Sequence, residues 1–115
     1  MLIVMFPQKA GLDSLLSNKH LSIKDIQVEN QQDIDKITIR YKIFNSATRE
    51  RVMPLVRVRL FDKHQRLLKS HIVDHTKILL APKQYLLIGT EFAPAPSKAE
   101  FVDIMIGNRL DFLVR

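Results

Sequence analysis

In a chain of 115 residues without cysteine, histidine is the first side chain to weigh for chemistry. His71 and His75 stand four apart, the spacing that brings two imidazoles to one metal ion on a helix. The residues around them read as a strand, however, and four strand residues span about 13 Å, too far for a shared ion. Asp74 falls on the opposite face if that strand persists, and His20 and His64 lie at segment ends with no ligand motif around them. Without cysteine there is no thiolate nucleophile and no Cys-type zinc site. No G-x-S-x-G elbow is present, and Gly11, Gly89 and Gly107 are too far apart to cradle a phosphate. Asp33 and Asp35 flank Ile34 in a polar stretch that reads as a solvated turn rather than a catalytic carboxylate pair. These residues imply no enzyme, no cofactor and no metal.

The basic residues offer a different chemistry. Lys and Arg number 18 against 12 Asp and Glu, a net charge of +6. No block of like charges marks a nucleic-acid tail, so no nucleic acid is expected as a partner. Two pairs nevertheless stand out as candidate contacts to an anionic surface. Arg40 and Lys42 share one face of a predicted strand, and Arg57 and Arg59 share one face of another. Each cation is worth about 1 kcal/mol against an anionic membrane. The plainer reading is that these are solvated faces, which also discourage edge-to-edge aggregation.

The elements that position these side chains follow a period of two from Leu21 onward. Leu21 and Ile23 alternate, and the phase then shifts by one residue around Lys24–Asp25 to resume at Ile26 and Val28, which predicts a β-bulge or bend. KITIRYKIF sends Ile37, Ile39, Tyr41 and Ile43 inward and Thr38, Arg40 and Lys42 outward. VMPLVRVRLFD sends Val56, Val58 and Leu60 inward and exposes Arg57 and Arg59. DKHQ is a hairpin connection, RLLKSHIV its return strand, and Pro82 punctuates ILLAPKQYLLIGTEF. FVDIMI and LDFLV supply the last strands, and the one helical candidate is Leu12–Leu16. About seven short strands at intervals of roughly ten residues predict an all-β fold, an antiparallel β-sandwich.

From Leu21 to Ile106 the chain also resembles a bacterial domain of unknown function. That domain follows an N-terminal zinc-ribbon finger and a single transmembrane helix. The matching features are the opening Leu21 and Ile23, a strand ending in Asn45 and Ser46, and Pro54 before a strand ending in Leu60–Asp62. A turn with Leu80 and Pro82, before a strand ending in Phe92, completes the pattern. The third feature is also similar to FxLYD-type Ig-like extracytoplasmic domains. Two departures stand out: Lys83 occupies the turn position where the family usually carries glycine, and the zinc-ribbon cysteines are absent.

The resemblance implies an Ig-like sandwich over residues 20–115, preceded by a membrane-proximal stub and short linker or helix over residues 1–19. It implies a membrane-anchored envelope protein with this domain in the periplasm, and an unidentified envelope protein as its partner. In such proteins the transmembrane helix ends in an apolar run followed by aromatic and proline residues and a short amphipathic stretch. MLIVMFPQKAGLDSLLSNKHLSI follows that order. Six apolar residues cannot span a bilayer that needs roughly 20, so the anchor is expected as a truncated helix. The alternatives are a stray N-terminal strand and a cytoplasmic soluble fragment. For function, the expectation is a non-enzymatic interaction or structural domain, and the alternative a soluble small-ligand-binding or small hydrolytic one. Recognition is expected at a sheet edge or an outer sheet face. KQYLLIGTEF is apolar on both faces, which marks Leu86 and Ile88 as a candidate partner surface unless another part of the chain covers them.

Overall fold

A computed structural model describes residues 3–4 and 20–107. The strands are β1 (Ile3–Val4), β2 (Leu21–Gln31), β3 (Lys36–Asn45), β4 (Arg51–Val52), β5 (Leu55–Phe61), β6 (Leu67–Asp74), β7 (Leu79–Leu80), β8 (Tyr85–Phe92) and β9 (Phe101–Gly107). The helical candidate Leu12–Leu16 and the expected last strand LDFLV lie outside the described residues.

Three of these strands, in the order β2-β3-β8, form one antiparallel sheet. The other sheet has the order β1-β9-β5-β6, antiparallel except where β1 runs parallel to β9. The chain crosses between the sheets after β1, after β3, after β6 and after β8, as in an Ig-like sandwich. β4 and β7 pair as a small separate ribbon, which alternation over such short runs does not announce.

Alternation sets the core as expected. Ile37, Ile39, Tyr41 and Ile43 from β3 meet Val56, Val58 and Leu60 from β5, all almost wholly buried. Ile88, Phe92, Val102 and Ile104 complete the layer. Each such aliphatic side chain contributes about 1.5–3 kcal/mol of transfer free energy. Inside this layer the Tyr41 hydroxyl lies beside Thr90, and neither makes a close hydrogen bond. Burial pushes the Tyr41 pKa above its ordinary 10.0, with Thr90 opposing.

The phase shift in β2 is a bulge. Lys24 pairs with Lys42 and Gln27 with Arg40, so Asp25 and Ile26 together oppose Tyr41. Asp25 takes a left-handed φ of 54°, a conformation that a short polar side chain tolerates better than a branched one. The extra residue swings Val28 back toward the core, where unbroken alternation would have placed Gln27.

Two buried polar side chains fix the connections. Asn45 is fully buried, and its Nδ2 donates to the carbonyls of Leu80 (3.0 Å) and Arg49 (3.1 Å). Its Oδ1 accepts from the Ala47 N–H at 2.9 Å, so one amide ties the loop after β3 to β7. Asp62 closes the β5–β6 hairpin by accepting from the N–H groups of His64 (2.8 Å) and Arg66 (2.9 Å) and from Arg66 Nε (3.1 Å). These bonds, the Arg66 N–H foremost, hold its carboxyl below the ordinary 3.8. Lys83, in the turn before β8, adopts a left-handed φ of 61°. Its Nζ donates to the Ser46 carbonyl at 2.5 Å.

Candidate interaction surface

The two basic pairs lie on opposite outer faces of the sandwich and do not come together. Arg57 and Arg59 correct the expectation of exposure: Arg57 is only 5% exposed, and the Arg59 side chain 18%. Their rows explain it. Arg57 sits between Ile72 of β6 and Met105 of β9, and its Nη2 reaches the Met105 sulfur at 3.4 Å. Arg59 lies directly opposite Asp103, which takes hydrogen bonds from its Nε (2.9 Å) and its Nη2. The guanidinium also lies 5.1 Å from the Phe61 ring centroid. Flanked by a thioether, a carboxylate and a ring, this pair is packed into the protein, with only part of Arg59 reaching solvent.

The other pair is open. Arg40 and Lys42 stand on the outer face of β3, 48% and 32% exposed. Lys42 lies 3.2 Å from Asp25 and 4.5 Å over the Tyr85 ring; Arg40 is 4.0 Å from Glu29. Lys24 lies 5.0 Å over the Phe44 ring. The rows across this face read Ser22–Phe44–Tyr85, Lys24–Lys42–Leu87 and Gln27–Arg40–Gly89. Charge is therefore unevenly spread across it: β2 carries the carboxylates Asp25 and Glu29 with the cation Lys24, β3 carries Arg40 and Lys42, and on β8 only Glu91 is charged.

β8 also corrects the candidate partner surface. Ile88 is 4% exposed and Leu86 packs against the core, because they oppose Tyr41 and Ile43 on the inner side. The exposed apolar groups are the residues of the other phase, Tyr85 at 54% and Leu87 at 59%. Lys24, Phe44, Tyr85 and Leu87 were missed as surface candidates. The available signal was the outward phase of β8, once Leu86 and Ile88 are assigned to the core.

The described histidines and a cleft at the hairpin end have other surroundings. His71 stacks on Phe92 with ring centroids 4.3 Å apart. Among the described residues no three His, Asp or Glu side chains gather closely enough to hold a metal ion. A cleft of about 440 Å³ at the hairpin end is lined by Lys63, His64, Arg66, Lys98 and Glu100, together with Asp62. Its basic groups stand in solvent, and Asp62 already spends its oxygens on the turn. No helix among the described residues is long and apolar enough to cross a membrane. Compared with protein-family models, with curated proteins and with solved structures, the chain finds no match.

Proposed function

We propose that this chain is a non-enzymatic interaction domain that contacts a protein partner through the outer face of β2, β3 and β8. One observation carries the reading: Tyr85 and Leu87, each more than half exposed, sit beside the open cations Lys42 and Arg40. A ring or aliphatic group rimmed by long cations supplies both apolar area and charge complementarity, the ingredients of a protein contact. The placement we favour is the periplasmic side of a membrane-anchored bacterial envelope protein. The spaced pattern of Leu21, Ile23, Asn45, Ser46, Pro54 and Asp62 is what supports that placement.

Site-specific photocrosslinking in the native host tests the function. A photoreactive residue at position 87 is expected to give one discrete protein adduct, lost on Lys42→Glu or Tyr85→Ala. The same residue placed at position 33, in the turn after β2, is expected to give none. Equal adducts at both positions, or none at 87, would remove the basis for this reading.

A further inference from the structure

The backbone of β8 narrows how a partner binds. Asn45 N–H donates to the Gln84 carbonyl at 2.9 Å, which fixes the parity of the β3–β8 ladder. On the other side of β3, Ser46 N–H donates to the His20 carbonyl at 2.9 Å, so successive β3 residues alternate between β8 and β2. Along β8, Leu86, Ile88, Thr90 and Phe92 then turn their N–H and C=O groups toward β3. Leu87, Gly89 and Glu91 turn theirs outward. Among the described residues no strand pairs with that outer edge.

Edge strands are normally blunted by bulges or inward charges, and the other two long edges are. β2 carries the Asp25–Ile26 bulge. β6 carries Lys69 and His71 on its inward phase, opposite Leu60 and Val58. β8 has neither device: its inward residues are Leu86, Ile88, Thr90 and Phe92, and no proline interrupts it. Gly89 stands in the middle of this edge. No positive φ requires a glycine there, and an added Cβ would meet only Arg40 Cγ at 3.9 Å. Inside a strand, a glycine that the fold does not demand often marks the close approach of another backbone.

We infer that the partner adds an extended strand along the outer edge of β8, and that this strand carries acidic residues. The inference rests on the reading of this sheet as the interaction surface and specifies its ligand. Lys83, Lys42, Arg40 and Lys36 border β8, and Lys36 pairs with Glu91 of β8 itself. Lys42 and Arg40 have their carboxylates, Asp25 and Glu29, on the far side of β3, so a strand on the β8 side meets the cations first. Lys42 already leans over the β8 ring of Tyr85. A chain of net charge +6 also disfavours a second copy of itself on the same edge. Strand addition supplies affinity through main-chain bonds and specificity through alternate side chains.

The test uses the full chain and a capped ten-residue peptide alternating valine with glutamate, followed by amide hydrogen exchange. Saturating peptide is expected to slow exchange at Leu87, Gly89 and Glu91 at least tenfold, leaving the already paired Leu86 and Ile88 amides unchanged. Gly89→Pro fixes φ and adds a ring on the Arg40 side, but the N–H it removes is an outward one and not a bond to β3. It is expected to weaken binding at least tenfold while the domain stays folded. If that variant fails to fold, the exchange pattern of the native chain decides. A lysine-for-glutamate peptide that binds equally well overturns the acidic specificity. Peptide binding that shifts Lys42 and Tyr85 without protecting the three amides overturns the added strand but leaves the face as the contact. Concentration-dependent dimerisation that protects the three amides, or binding only to anionic vesicles, overturns the inference. Absence of any saturable contact with this sheet overturns both the strand and the face.

Discussion

β3 and β5 carry the same motif, two cations alternating with core residues, and both are interior strands of their sheets. Arg40 and Lys42 remain open, whereas Arg57 is buried and Arg59 nearly so. The difference lies across the ladder rather than along the chain. Arg40 has Gly89 as its neighbour on β8, which offers no side chain to cover it. Arg57 and Arg59 have Met105 and Asp103 on β9, which cover and neutralise them. Alternation thus fixes which way a side chain points, and its row neighbours decide whether it meets water.

The largest way to break this comparison is to remove the carboxylate of the closed face. Asp103→Ala strands Arg59 in a mostly buried site and is expected to cost about 3–5 kcal/mol in urea unfolding. Glu29→Ala, which removes the carboxylate beside Arg40, is expected to change stability by no more than about 0.5 kcal/mol. Similar losses from both would mean that the two faces do not differ as described.

Asn45→Ala is expected to come next, at about 1–3 kcal/mol, because it leaves the Leu80 carbonyl and the Ala47 N–H without their side-chain partner. Its importance was only half legible. Asn45 and Ser46 read as turn formers, but the bond to Leu80 joins residues 35 apart, and no local pattern encodes that. The bulge at Asp25 was fully legible, since a change of hydrophobic phase within a strand has one cheap structural solution. So was the core, since a slip by one residue would turn every apolar group of β3 to water. The fate of Arg57 and the openness of Tyr85 depend on which strands lie side by side, a long-range pairing that their own segments do not specify.

Acid tests the carboxylate that closes the β5–β6 hairpin. The Asp62 carboxyl titrates below its ordinary 3.8 in the folded chain, so the stability it provides is complete above that value. That stability is lost as the pH falls from there through the lower folded pKa. Asp62→Ala is therefore expected to flatten the acid limb of the stability–pH curve, and an unchanged limb would show that the turn bonds to this carboxylate do not stabilise the fold.

The smallest expected effect is that of Gly89→Ala. A methyl group there makes ordinary contact with Arg40, so stability is expected to move by less than about 0.5 kcal/mol. A larger loss would show that the glycine serves the fold, and would remove one argument for strand addition at β8.

Arginine-directed labelling of the native chain, read residue by residue by mass spectrometry, tests the central claim most directly. Arg40 is expected to react nearly as fast as in the unfolded chain, while Arg57 and Arg59 react at least roughly tenfold more slowly until denaturant opens the sandwich. Equal native rates at Arg40, Arg57 and Arg59 would contradict the account of one closed face and one open one.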